Sequence, residues 1–434
     1  MCQHKAAANY ILSGEYKEAL CAAGPVLKSH SSDLTAWYLL ARAVLGLGDT
    51  DVGIKNLKSV AMAMAEERRP ILALAVIKEI EDLGSDIDDL VTKLAAMYST
   101  ASSRAEEAEL APPPLPSITP LEAWDSETDN ATLVEWAKET MAVAWGESLA
   151  NVDKDRKLPF IPLLSSLEPS DFVLLVEAFW RQVFEPGDVI IEQDTEGDAI
   201  YVIAQGEVAV LRRSSSGEAQ ELAKLGPGAF IGEMAIVTRA PRAAEVRAIE
   251  HTVVLRADKK KTAELAERAP EIGNVLIAFC HARMIENLMH VSPVLSPVPV
   301  ARRPEVIALF DSDYFESGQV IIQEEQEAPG LYLVASGRVE VVKMEAGDKV
   351  VMASLGPGDV FGEISLIMRR PSTATVVAAE DTAVLFLSSA DFGEVTKEFP
   401  ELLKGAFDIA LEREAKTNSI LASEAAAADD LVLV

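Results

Sequence analysis

The sequence predicts an α+β multidomain fold, with an N-terminal α-helical repeat followed by two β rolls of jelly-roll type and their flanking helices. Three observations carry this expectation. Apolar residues over the first hundred or so positions recur at helical spacing, and two segments there superpose at a 34-residue offset. A stretch rich in proline then interrupts the pattern. From Phe184 onward short alternating runs between Gly and Pro turns take over, and the whole pattern returns 130 or 131 residues later. The expected divisions are helical repeats over 1–100, a Pro-rich linker over 101–130, a helix plus the first β unit over 131–290, a second β unit over 291–423 and a tail over 424–434.

Composition narrows the function. The 434 residues carry 39 Lys and Arg against 69 Asp and Glu, a formal charge of −30, which repels nucleic acid and anionic membranes as broad-surface partners. A small anion would need a local basic group. Cys2, Cys21 and Cys280 stand far apart and fit neither a disulfide framework nor a zinc site, so no metal and a reducing, cytoplasmic setting are expected. No uncharged apolar run approaches the roughly 18 residues of a membrane span.

In the helical region Gly14 pairs with Gly48, Ala19 with Gly53, Leu20 with Ile54 and Leu27 with Ala61. Around the second Gly stand Ala36, Trp37, Tyr38, Ala41 and Ala43, then Leu57. This pattern resembles the tetratricopeptide repeat, in which small residues let antiparallel helices approach and the Gly eases the turn. A weaker third unit runs from Glu66 to Ser99 with Leu83-Gly84 as its turn. The resemblance implies a protein partner, whereas a bare helical docking domain is the plainer reading. Pro112, Pro113, Pro114, Pro116 and Pro120 then exclude helix and sheet interiors. Leu133, Ala137, Met141 and Ala144 mark an amphipathic helix over Thr132 to Trp145, whose Trp136 and Trp145 are expected to pack on the following β unit.

The β units are read from matching runs. Asp188 to Glu192, Ala199 to Ile203 and Glu207 to Leu211 have counterparts at Gln319 to Gln323, Gly330 to Val334 and Arg338 to Val342. The offset slips by one residue at a hairpin tip, Ser214 to Gly217 in one copy and Glu345 to Gly347 in the other, as expected of a duplicated domain. Helical stretches follow each copy, at Ala263 to Met289 and Gly393 to Ser419.

The candidate site lies in the segment Gly232 to Val246, echoed at Gly362 to Val376. A Gly and an acid open a short helix whose free N–H groups favour an anion. Ionised Glu233 would accept hydrogen bonds from a sugar hydroxyl. Arg242 would supply a charge-assisted, potentially bidentate contact to phosphate oxygens, and Ala243 and Ala244 leave room for backbone N–H groups to approach them. Glu233 and Arg242 could instead form an internal ion pair in a domain that binds nothing.

With Gly187, Gly197, Asp198 and Gly206, the run Gly232-Glu233 followed by Pro241-Arg242-Ala243-Ala244 resembles the cyclic nucleotide-binding domain. The tandem arrangement, over about Leu158 to Ser423, is similar to that of protein kinase A regulatory subunits. The resemblance implies that Gly232, Glu233, Met234, Arg242, Ala243 and Ala244 form the site, with Glu233 on the ribose 2′-hydroxyl and Arg242 on the cyclic phosphate. Ala243, where a hydroxyl residue accompanies guanine preference, points to cyclic AMP over cyclic GMP. Glu245 departs from the family pattern: facing the pocket it opposes an anion, and strand alternation could equally turn it outward. The second copy retains Gly362 and Glu363 but carries Ser372-Thr373 in place of the Arg, so weak or absent binding is expected there.

These residues imply a non-enzymatic sensor or adaptor with a cyclic nucleotide as ligand, no cofactor, and a protein partner at the helical repeats. A scaffold that has lost its ligand is the alternative. A kinase regulatory subunit ranks below both, because between Ala101 and Lys157 the only arginines are Arg104 and Arg156 and no inhibitory Arg-Arg segment stands there. Two Arg-Arg runs, at Arg212-Arg213 and Arg369-Arg370, look like basophilic kinase sites, though chance explains most short matches of this kind.

Overall fold

A computed structural model describes residues 3–106, 123–150, 155–213, 219–233, 241–292, 294–299, 302, 305–306, 308–345 and 348–431. The Pro-rich run, both hairpin tips and Met234 lie wholly or largely outside them. Six helices come first: α1 (Gln3–Leu12), α2 (Tyr16–Ser29), α3 (Leu34–Gly46), α4 (Thr50–Glu66), α5 (Pro70–Asp82) and α6 (Asp88–Tyr98), each packed on the next. Asp33 and Asp49 cap α3 and α4 by accepting from Ala36 N and Val52 N. Gly14, Gly48 and Gly84 close α1, α3 and α5 at positive φ. Gly46 lies against the Tyr16 ring and Gly53 against Leu45, so these two glycines allow close approach of α2, α3 and α4.

A two-residue strand β1 (Ala105–Glu106) pairs in parallel with β2 (Leu158–Pro159) across α7 (Asn130–Ala150). The α7 helix is longer than expected and packs elsewhere. Leu133, Ala137, Met141 and Ala144 are buried, but against α2, α3 and α4. Trp136 and Trp145 remain about 40% exposed, Trp136 edge-on to Trp124, whose ring fills the space above Gly24 of α2. The apolar stripe was therefore readable, but its receiving surface is the preceding helical unit, not the β unit.

After α8 (Pro162–Ser165) and α9 (Pro169–Ala178) comes the first roll: β3 (Phe179–Phe184), β4 (Val189–Ile191), β5 (Ala199–Gln205), β6 (Val208–Arg213), β7 (Ala219–Leu225), β8 (Phe230–Ile231), β9 (Glu245–Ala248) and β10 (Thr252–Asp258). They form two four-stranded antiparallel sheets, β3-β10-β5-β8 and β4-β9-β6-β7. Two helices follow, α10 (Lys259–Arg268) and α11 (Pro270–Val291), split at Pro270, which suits a first helical turn but not a helix interior.

The second roll repeats this plan with β11 (Asp311–Phe315), β12 (Val320–Ile322), β13 (Gly330–Ser336), β14 (Val339–Glu345), β15 (Asp348–Leu355), β16 (Val360–Phe361), the short helix α12 (Glu363–Met368), β17 (Thr375–Ala378) and β18 (Thr382–Ser388), then α13 (Ser389–Glu398) and α14 (Pro400–Leu431). Its sheets run β11-β18-β13-β16 and β12-β17-β14-β15, the first roll's order strand for strand. Even the register shifts recur, at Val210/Leu211 and Val341/Val342.

Each roll encloses its own apolar centre, around Ile203 and Val254 in the first and Val334 and Val384 in the second. The outer face of the β3-β10-β5-β8 sheet merges with the helical region into one core running from Ala7 to Cys280. The helices and the first roll are thus packed together, with α5 lying against β3, β5 and β10.

Candidate functional site

In both rolls the backbone builds the same cradle. Gly232 and Gly362 follow β8 and β16 at φ +80° and +86°, a left-handed conformation that L side chains adopt at a cost. Opposite them, Arg242 exchanges backbone hydrogen bonds with the loop after β4: Asp194 N donates to Arg242 O at 2.9 Å, and Arg242 N to Thr195 O at 2.8 Å. Ser372 makes the corresponding pair, from Glu325 N at 2.9 Å and to Gln326 O at 2.8 Å. Asp194 and Glu325 share φ near +65° as well. The two copies place position 242/372 alike and differ in what the side chain can do.

In the first cradle the Arg242 side chain is 5% exposed. Its Nη1 donates to Gly232 O at 2.7 Å and its Nη2 to Ala199 O at 2.7 Å, with Asp198 Oδ1 at 3.4 Å. A Cβ on Gly232 would stand 2.5 Å from Nη1, so the glycine is needed for this approach as well as for its φ. Burial pushes the guanidinium below its ordinary value, opposed by Tyr201 and Asp198. Glu233 is 4% exposed and lies close enough to Cys280 on α11 to help burial push that thiol up to about 12. Of the expected site residues, Arg242 is brought onto the carbonyl of Gly232, with Glu233 next to the glycine and Ala243 and Ala244 next to the arginine in the chain; Met234 lies outside the described residues.

Two features escaped the sequence reading. Asp198 accepts from Arg256 Nη2 at 2.7 Å through its other oxygen, and Asp198 O accepts from Lys259 N, the first residue of α10, at 2.7 Å. Arg256 also lies over the rings of Trp180 and Tyr201, so the cradle arginine and the start of α10 share one carboxylate residue. Glu245, which departs from the family pattern, is buried but held by Arg247 at 2.6 Å and Arg213 at 3.2 Å. Its charge is matched by two cations, and the Arg212-Arg213 run is engaged in this pairing.

The second cradle is filled differently. Ser372 Oγ donates to Ala374 O at 2.8 Å, a contact two residues along the same loop ahead of β17, and Thr373 beside it is half-buried. Glu363 is 2% exposed, and Arg413 of α14 donates to its Oε1 at 2.9 Å and to Val360 O. Burial raises the Glu363 carboxyl above its ordinary value and the Arg413 charge opposes this. One residue on, Glu414 meets Arg370 at 2.5 Å, which engages the other Arg-Arg run and fixes α14 across α12. Arg413 was missed because it lies 50 residues from its partner. A signal existed, since Arg283 and Arg413 each stand 13 residues after the proline that opens their helix.

Two segments, 181–269 and 313–399, match the model of the cyclic nucleotide-binding domain. The cAMP-dependent protein kinase type II regulatory subunit of Drosophila melanogaster is 27% identical over 316 residues, 71% of this chain and 76% of that protein. The cAMP-dependent protein kinase regulatory subunit of Yarrowia lipolytica is 28% identical over 232 residues, and the match spans 53% of this chain and only 57% of that relative. Among solved structures, the regulatory domain of Toxoplasma gondii PKA co-crystallised with cAMP is 21% identical, covering 59% of this chain and 92% of that one, with a TM-score of 0.28. The chain therefore carries tandem cyclic nucleotide-binding domains similar in sequence to those of kinase regulatory subunits. These domains and relatives are regulatory and not catalytic, in agreement with the expected non-enzymatic role. Among the described residues no helix is long and apolar enough to cross a membrane.

Proposed function

We propose that the chain is a cyclic-nucleotide sensor or adaptor in which the first roll holds the ligand and the second serves as structure or relay. The observation that carries this reading is the buried Arg242 guanidinium, aimed across the cradle at Gly232 O and Ala199 O. A cyclic phosphate would replace these neutral acceptors by an anionic one, and charge-assisted hydrogen bonds are the stronger kind. Arg242 would hold the phosphate with the backbone of Ala243 and Ala244, and Glu233 the ribose hydroxyl. Ala243 favours cyclic AMP over cyclic GMP. Gly362, Glu363, Ser372 and Thr373 form a look-alike without a cradle cation of their own.

Ligand at Arg242 would also compete with Asp198, whose carbonyl receives the first N–H of α10. The release would reach α10 and α11 if ligand favours one of their arrangements by a finite free energy. Calorimetric titration with cyclic AMP and cyclic GMP, against Arg242→Ala, tests the site; one site per chain is expected, and no heat with either nucleotide leaves the scaffold reading. Hydrogen exchange of α10 and α11 tests the relay, which unchanged protection at saturation would sink. The helices α1 to α6 are read as tetratricopeptide-like repeats that dock a protein partner, with a cytoplasmic location.

The relatives' names favour a second reading, a kinase regulatory subunit. Against it, Arg104 and Arg156 are pinned to Glu66 and Glu67 at the end of α4, at 2.6 and 2.5 Å. Inhibition of a cAMP-dependent kinase catalytic subunit by this chain, relieved by cyclic AMP, would establish that reading over the sensor or adaptor.

A further inference from the structure

Where the helical unit meets the first roll lies a cavity of about 990 Å3, walled by α1, α3 and the α4–α5 turn on one side and by β-roll loops and α11 on the other. Its size matches the upper end of small-molecule sites, roughly 300 to 1,000 Å3. Leu12 and Ile249 face it from opposite walls, 42% and 39% exposed, and Phe160 and Phe279 add aromatic surface. In a chain of charge −30 its ionic lining is inverted, with Lys5, Arg68, Arg69 and Arg283 against Glu185 and Glu250.

The α4–α5 turn supplies an independent observation. Four helix ends in this unit close with the same pair of hydrogen bonds, for example Gly48 N to Leu45 O and Asp49 N to Val44 O, or Arg68 N to Ala65 O and Arg69 N to Met64 O. Three of them place Gly at the left-handed position, at Gly14, Gly48 and Gly84, and the fourth places Arg68 there at φ +64°. A side chain at such a position strains the backbone, and strain of this kind concentrates at functional sites. Arg68 lines the cavity, with its Nε donating to Lys157 O at 3.0 Å.

We infer that this cavity binds an amphiphilic anion, a single carboxylate or phosphate head on an acyl-length tail. The head lies against Arg68 and Arg69 and the tail between the walls of Leu12 and Phe279. This goes beyond the cyclic-nucleotide reading and does not depend on it, because neither Glu233 nor Arg242 lines the cavity.

The test titrates the full chain with dodecanoate, dodecyl phosphate and uncharged dodecanol, each below its aggregation concentration. Saturable binding of one anion per chain, at least tenfold tighter than the alcohol, is expected. A preference for carboxylate names a fatty acid as the source, and one for phosphate a phospholipid-derived anion. Arg68→Gly and Arg69→Gln should each weaken the anion about tenfold and leave the alcohol unchanged. Arg68→Gly should also melt no lower than the parent, since Gly suits the turn better. No saturable binding, or equal losses for anion and alcohol in either variant, would overturn the inference.

Discussion

The two cradles share strand order, register shifts and the backbone bonds at positions 242 and 372, yet differ in the side chain at that position. In the first, the arginine belongs to the cradle and its neutral carbonyl partners are ones an anion could displace. In the second, the cradle has no cation of its own, and the buried acid Glu363 is matched by Arg413 from the C-terminal helix. A buried carboxylate without a partner is expensive. The second roll lacks the cradle arginine and keeps the fold, with its buried glutamate matched by a cation from another element. The duplicated backbone specifies a cradle, and position 242 or 372 sets whether that cradle carries an arginine of its own.

The comparison breaks most visibly at Arg413. Arg413→Ala leaves Glu363 buried without its cation, for an expected loss of about 2 to 3 kcal/mol, below the roughly 3 to 5 typical of broken buried pairs because Arg413 is partly exposed and Glu363 can protonate. Denaturant unfolding with hydrogen exchange resolved to α12 and α14 should show the loss in the second roll; an equal loss in the first roll would refute the assignment. Next in size is Arg242→Ser, which copies the second cradle into the first. Removing a hydrogen bond to a charged group, about 1.5 to 3 kcal/mol, should weaken cyclic AMP roughly tenfold to a hundredfold in calorimetry, with little change in melting. Smaller still is the converse, Ser372→Arg. While Arg413 holds Glu363, less than a tenfold gain is expected at the second site, and the double variant Ser372→Arg with Arg413→Gln should gain more. A full second site from Ser372→Arg alone would show that Arg413 does not keep the cradle closed.

How much of this was legible follows from whether the information is local. The glycine turns were readable, because positive φ at Gly187, Gly206 and Gly232 recurs at Gly318, Gly337 and Gly362 and few other residues tolerate it. Arg242 was readable from its spacing to Gly232, ten residues earlier, whose carbonyl it meets; Ala199 and the loop after β4, its other partners, lie more than 40 residues away and were not. The stripe on α7 announced a buried face, and Leu133, Ala137, Met141 and Ala144 are all fully buried. Its docking surface depends on Trp124 meeting Gly24 a hundred residues away, which no periodicity encodes. Arg413 and Glu363 likewise meet through tertiary packing. The partners of Glu245 were within reach, one on the same strand and one on the neighbouring β6, but pairing them requires the register of β6 on β9.

The finest contrast is one of pH. Glu245 and Glu363 are both buried, and burial is the largest influence on each. At Glu245 the combined hydrogen bonds and charges of Arg247 and Arg213 outweigh burial, so its carboxyl sits below the ordinary 4.5. At Glu363 burial prevails over Arg413, so its carboxyl sits above 4.5. A depressed acid contributes stability that is present above 4.5 and lost as pH falls through its folded value; a raised acid contributes stability present below 4.5 and lost as pH rises through its folded value. Acidification from pH 7 to 4.5 should therefore strengthen the second roll while leaving the Glu245 contribution intact, by at most about 1.4 kcal/mol for each pH unit crossed. All five tryptophans precede the second roll, so their fluorescence follows the helical unit and the first roll, and hydrogen exchange must report the second. Glu363→Gln should abolish the gain between pH 7 and 4.5, and Glu245→Gln should not. A gain that survives Glu363→Gln would mean another group drives it and would remove the contrast between the two glutamates.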